Sequence, residues 1–314
     1  EALLDALNSE FGGRGVSFQL PSLKISSFNL PLLEKLSEVR KSGLTFAVET
    51  PEEAWQRLIN KDVSFEQTVS ILEEAKKRGF KLAKFYFMIG LPVPAMRKAE
   101  AEAIIDFFSR LKSRIDIQLN VNLGNFVPKP HTPFQWAAQI GEQEALAAIF
   151  AIKDGLKRWR GIKLSWHSPF VSTLEGIISR GDERVGDLIE AAFEKGARLD
   201  AWDEHFSRDL WRTVLEEAPW KPMELIVQEV SPEADLPWDD INIGVGKGYL
   251  KREHKRAQAQ EFTSACMDNC TEPCGACRDD TGIDRNIIQA EAKSVALAQP
   301  EAEPGRLLFA FSKD

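Results

Sequence analysis

The feature that most restricts the fold is a repeated change of period, from short apolar runs to longer helical stretches. Four runs read as strands: VSFQLPS (16–22), LTFAVE (44–49), LAKFYFMIG (82–90) and IDIQLNVNLGNFV (115–127). Helical sequence separates them. LPLLEKLSEVRKSG ends at Gly43, and a second stretch runs through Trp55 and Ile59. A third runs to Gly79 from a capping box formed by Ser64 and Gln67. Two more cover about Ala95 to Ser113 and about Glu142 to Trp159. Apolar strands spaced by such helices make β/α units and a parallel sheet, so the fold class is α/β. In barrels of this kind, chemistry gathers at the C-terminal ends of the strands. Four strands cannot close a barrel; either the sheet is open or earlier strands belong in front of it.

From about Ile162 the pattern turns mainly helical and aromatic, with a capping box at Ser172 and Glu175. Trp202, Trp211, Trp220 and Trp238 follow and are expected to pack at element junctions. ALAQPEAEP (296–304) has the composition of a linker, and GRLLFAFSKD after it begins another alternating strand. The chain thus divides into a β/α region (1–160), a helical, Trp-rich extension (161–260), a cysteine knuckle (261–295), and a linker with the first strand of a further domain (296–314). It opens on Glu1 directly into EALLDALNSEF, so both ends read as cut. Such a cut would bare the apolar edge VSFQL at 16–20 and promote self-association.

The 314 residues are enough to bury a real core. A net charge of -8 and a pI near 5.3 exclude a protein that coats nucleic acid or a membrane surface broadly, and leave room for a local basic patch. No apolar run reaches the roughly 18 residues of a membrane span. All four cysteines fall between Cys266 and Cys277, unlike a secreted disulfide framework. A cytoplasmic protein is expected.

Cys266, Cys270, Cys274 and Cys277 follow the spacing C-x3-C-x3-C-x2-C. Four thiolates can surround one tetrahedral centre, and Gly275 permits the tight turn between the last two. Zinc and a [4Fe–4S] cluster both accept such a set. From Cys270 the spacing is C-x3-C-x2-C, the triplet that holds the cluster of radical SAM enzymes, but here it follows the strands instead of preceding them. A second distinctive stretch is NFVPKPHTPFQW (125–136). Pro128, Pro130 and Pro133 stiffen it at a strand end, so that Lys129, His131, Gln135 and Trp136 point in set directions.

FVPKPHTPFQW resembles the signature of the cobalamin-binding-domain-containing radical SAM proteins of unassigned substrate, relatives of the methylthiotransferases. The resemblance continues through LPSLK, LTFAVET, INKDVS and FYFMIGLP, then STLEGIISRGDER, GARLDAWDEHF and LPWDDINIGVGKGYLKRE. It covers nearly the whole chain, in the family's order. It implies a partial (β/α) radical SAM-type barrel with a mainly helical C-terminal region and a four-cysteine metal knuckle. It also implies that the catalytic triplet lies upstream of Glu1. There a [4Fe–4S] cluster would reduce S-adenosylmethionine (SAM) to a 5′-deoxyadenosyl radical, acting on an unknown substrate, with cobalamin bound by an N-terminal domain. Among the SAM contacts it implies, Glu49 meets the ribose or amino group, Gly90 lets the backbone approach the adenine, and Ser22 and Lys24 stand at the end of the first strand, with Lys24 facing the carboxylate. Arginine is the family's usual residue at Lys24, and GLPVPAMRKAE lacks the acidic pair that follows GLP in the family.

Three further stretches carry weaker signals. GVGKG (244–248) lacks the Walker spacing and reads as a loop leading into a helix. In DAWDEH (200–205), Asp203 suits a helix N-cap better than a metal. KGYLKREHKRAQ (247–258) is a solvated basic face that could touch RNA phosphates. Together with the cysteines it supports an alternative reading: a non-catalytic β/α module that docks on RNA or a ribonucleoprotein.

Overall fold

The computed structural model describes residues 2–14, 16, 43–92, 94–264 and 274–276. Ser22 and Lys24, the rest of the expected edge strand beyond Val16, Cys266, Cys270, Cys277 and the terminal linker and strand lie outside these residues.

Helix α1 (Ala2–Phe11) precedes a parallel sheet of β1 (Leu44–Glu49), β2 (Leu82–Ile89), β3 (Gln118–Asn125) and β4 (Ile162–Trp166), in the order β1-β2-β3-β4. The connecting helices are α2 (Glu53–Leu58), α3 (Phe65–Lys77), α4 (Pro94–Arg114) and α5 (Glu142–Leu156). Ser64 caps α3 by accepting from the Gln67 N–H at 3.3 Å, as its spacing predicts. β4 was not legible from the sequence. Its five residues alternate Ile162, Leu164 and Trp166 with Lys163 and Ser165, a half-buried strand too short to outweigh the helical, aromatic sequence that follows.

Strands in sequential order with right-handed crossovers place the crossover helices α3, α4 and α5 on one side of the sheet, while Leu58 of α2 belongs to a separate cluster with Leu91 and Phe126. The core bears this out. Phe46, Phe85, Phe87 and Val121 pack on one face against Leu72 of α3, Phe107 and Phe108 of α4, and Ile149 and Ile152 of α5. Phe46 and Phe85 stack at 5.2 Å, and Phe108 meets Phe85 edge-on at 5.5 Å. Each such side chain contributes about 2–3 kcal/mol on burial. The four described strands form an open sheet and do not close a barrel.

A second apolar cluster joins α6 (Pro169–Arg180), α7 (Arg184–Glu194), α8 (Arg208–Glu217) and α9 (Pro222–Val227) through Phe170, Ile177, Leu188, Trp211, Val214 and Ile226. Ser172 lies within α6, which starts after Ser168, so the expected capping box there is corrected: Pro169 at the first helical position sets the start instead. Asp203 likewise caps no helix; α8 is capped by Ser207, whose hydroxyl accepts from Leu210 N–H. Trp211 and Trp238 are buried as expected, whereas Trp202 is exposed. The last described helix, α10 (Lys247–Ala259), starts at Gly246, so GVGKG does lead into a helix. No helix among the described residues is long and apolar enough to cross a membrane.

Candidate functional site

Glu49 ends β1 in a left-handed conformation (φ 68°), where the register with β2 slips. Such an irregularity re-aims a side chain at a strand end. Its carboxylate accepts from Lys61 Nζ at 2.9 Å. The next residue, Thr50, is fully buried, and its hydroxyl has no partner among the described residues. At the end of β3, Asn125 donates to Ser172 Oγ at 3.0 Å, while its buried Oδ1 is also without a partner among the described residues. Buried polar groups in folded proteins are almost always satisfied by protein, water or ligand, so these strand ends suit a polar ligand.

Gly90, at the end of β2, is left-handed (φ 80°), and its N–H donates to Glu100 of α4 at 2.7 Å. A Cβ at position 90 would lie 2.5 Å from Ile140. Close packing therefore requires this glycine irrespective of any adenine. Glu100, which the sequence reading passed over, is buried and also accepts from Leu91 N–H at 3.4 Å. Its carboxylate fixes the turn after β2. Only its place early in α4 hinted at that role.

The proline-rich loop is built from within. Gln135 is buried, and its Oε1 accepts from His131 N–H at 3.0 Å and from Trp238 Nε1 at 2.7 Å. Trp136 is buried beside the His254 ring. Both side chains therefore hold the loop and do not face solvent. Lys129 pairs with Glu175 of α6, and His131 is half-exposed with φ 57°. From α10, His254 Nδ1 lies 2.7 Å from the Pro133 carbonyl, and its Nε2 lies 3.1 Å from the Gln258 amide. The neutral tautomer protonated on Nδ1 satisfies both. Around this clamp, Leu58, Met88, Leu91, Phe126, Phe134 and Ala257 form an apolar roof over the upper end of the sheet.

Below the roof, the sheet face opposite the connecting helices is polar. Register places Thr45, Lys84, Asn120 and Lys163 in one row, and Ala47, Tyr86, Asn122 and Ser165 in the next. Asn122 donates to Ser165 Oγ at 3.0 Å, and Tyr86 stands 42% exposed. An ordinary sheet buried on both faces carries apolar residues on both. The signal lay in the alternation of LAKFYFMI and QLNVNLGN, whose polar positions share one face.

Of the cysteines, Cys274 is described and half-buried. Its carbonyl accepts from Gly246 N–H at 2.9 Å at the start of α10, and Ala276 N–H donates to its Sγ at 3.5 Å. Gly275 (φ 104°) lies so close to the Gly244 carbonyl that a Cβ would come within 2.9 Å. The Gly-rich loop and the cysteine segment, separate in sequence, are one contact. No group of three or more His, Cys, Asp or Glu placed to hold a metal occurs among the described residues.

An uncharacterized protein of Methanocaldococcus jannaschii is 25% identical over 211 residues, which cover 64% of this chain and 46% of that protein. The chain thus spans less than half the length of that relative. No family model and no solved structure matches.

Proposed function

We propose that this chain is the C-terminal part of a radical SAM catalytic barrel, acting in the intact protein on an unidentified substrate, with modification of RNA or protein among the reactions open to it. The observation that carries the reading is the sheet itself. Four parallel strands in sequential order keep their helices on one side and turn two polar rows to the other, as the interior of a ligand-binding barrel requires.

In this reading Glu49 and Thr50, at the end of β1, receive the polar part of SAM. Lys61 holds the Glu49 carboxylate in a fixed orientation. Gly90 contributes shape alone, because its amide is committed to Glu100. Tyr86, Asn122 and Ser165 line the interior, and the clamped proline loop shields its upper end from water. When bound, SAM and a reduced [4Fe–4S] cluster supply a carbon radical for hydrogen abstraction, and an N-terminal domain holds cobalamin. Cys266, Cys270, Cys274 and Cys277 hold zinc or an iron–sulfur centre apart from the catalytic one. The Ala276 N–H···Sγ contact at Cys274 is of the kind that stabilises a ligating thiolate.

Docking on RNA through α10 has less support. Lys247, Lys251 and Arg256 already pair with Asp239, Glu233 and Glu253. The test is twofold: the encoding gene should carry an in-frame C-x3-C-x2-C upstream of Glu1, and the intact protein, loaded with iron and sulfide and reduced, should release 5′-deoxyadenosine from SAM. A gene without that triplet, or a loaded protein that leaves SAM intact, overturns the reading.

A further inference from the structure

We infer that the lower edge of the sheet, where the strands begin, binds a small phosphorylated ligand of nucleotide size or less. A cavity of about 490 Å³ opens there, beneath the starts of β2, β3 and β4. That volume lies within the range of small-molecule sites. It is separated from Glu49, Gly90 and Asn125 by the full length of the strands, about 25 Å, and is independent of the catalytic reading.

The lining is strongly unbalanced in charge. Among the described residues, Lys76, Lys81, Lys112 and Arg160 face the cavity with Asp116 as the only carboxylate. This occurs in a chain whose net charge is -8.

Cations near helix C-termini ordinarily answer the terminal carbonyls and nearby acids. On this edge that role is already filled. Lys77 and Arg78 pair with Glu74 at the end of α3, and Arg114, the last residue of α4, holds Glu66 with two hydrogen bonds of 2.9 and 2.7 Å. Lys76, Lys81 and Arg160 form no ion pair among the described residues, yet they converge on one concavity. Three cations left unpaired side by side repel one another, a cost that a shared anion removes.

Lys112 makes the site more than a rim of surface lysines. Its side chain is 6% exposed, and its Nζ donates to the Ile117 carbonyl at 3.0 Å. It reaches Asp116 Oδ1 at 3.3 Å, but that carboxylate is 95% exposed and binds it weakly. An ammonium has three hydrogens, so one is left for a ligand. Lys112 and Gly161 line the cavity together, and a Cβ at Gly161 (φ 79°) would lie 3.6 Å from Nζ, so the ammonium sits at the wall beside that glycine. A buried inner ammonium, two exposed outer ones and a guanidinium fork suit the several oxygens of a phosphate or diphosphate.

The test is calorimetric titration of the full chain with pyrophosphate and with ATP, at low and at physiological salt. Expected are saturable one-to-one binding that weakens as salt rises and a loss of at least about tenfold in affinity for Lys81→Glu/Arg160→Glu. Both changed residues are exposed, so the unliganded melting temperature should hold. Lys112→Met should weaken binding without reversing the rim charge, and its melting curve separates that effect from unfolding. ATP binding more tightly than pyrophosphate would identify a nucleotide, and equal binding a free phosphate ligand; either supports the site. No saturable binding, or equal affinity for wild type and the rim variant, would overturn it.

Discussion

On one face of β2, Phe85 and Phe87 are sealed beneath the helices, while on the other face, one residue away, Tyr86 stands partly in solvent. The same contrast runs through β3, where Val121 is fully buried and Asn120 and Asn122 are not. A strand's two faces differ by one step in sequence but answer to different demands. The helix-covered face carries the folding free energy. The opposite face contributes little packing and retains Lys84, Tyr86, Asn122 and Ser165, a composition that stability alone would not select.

Substitutions on the two faces should therefore diverge. Phe85→Ala removes a ring packed on Phe46, Phe107 and Phe108 and should cost about 3–5 kcal/mol in chemical denaturation. An effect below about 1 kcal/mol would mean that the helices do not seal that face. Gly90→Ala comes next, at about 3 kcal/mol, because the new methyl meets Ile140 and the backbone stays left-handed. Full stability of that variant would return the glycine to a purely ligand-facing role. On the open face, Tyr86→Ala and Asn122→Ala should each cost under about 1 kcal/mol, since one group is half in solvent and the other loses one exposed hydrogen bond to Ser165. Smallest is Lys129→Ala, under about 0.5 kcal/mol, since Lys129 and Glu175 are both substantially exposed. A larger loss there would show that the proline loop depends on this ion pair as well as on Gln135 and His254.

The sequence made β1, β2 and β3 legible because they stand as short apolar runs between clear helical stretches. It hid β4, whose five residues are too few for a period to stand out beside the aromatic run that follows. Gln135 and Trp136 were visible as a constrained loop, but their burial depends on Trp238 and His254, more than a hundred residues away. The same holds for Gly246 and Cys274: a Gly-rich loop and a cysteine segment each signal something locally, and only the folded chain shows that they meet. Gly90 reads in the sequence as a turn or ligand-facing glycine, and only the folded chain shows that packing against Ile140 already requires it.

The most direct test of the proposed interior is a rate measurement on the intact protein, loaded anaerobically with iron and sulfide: 5′-deoxyadenosine formation by wild type and by Tyr86→Ala/Asn122→Ala. The expected result is a melting temperature within about 4 °C of wild type together with a loss of at least roughly tenfold in turnover. Equal turnover at equal stability would contradict a catalytic role for the open face of the sheet.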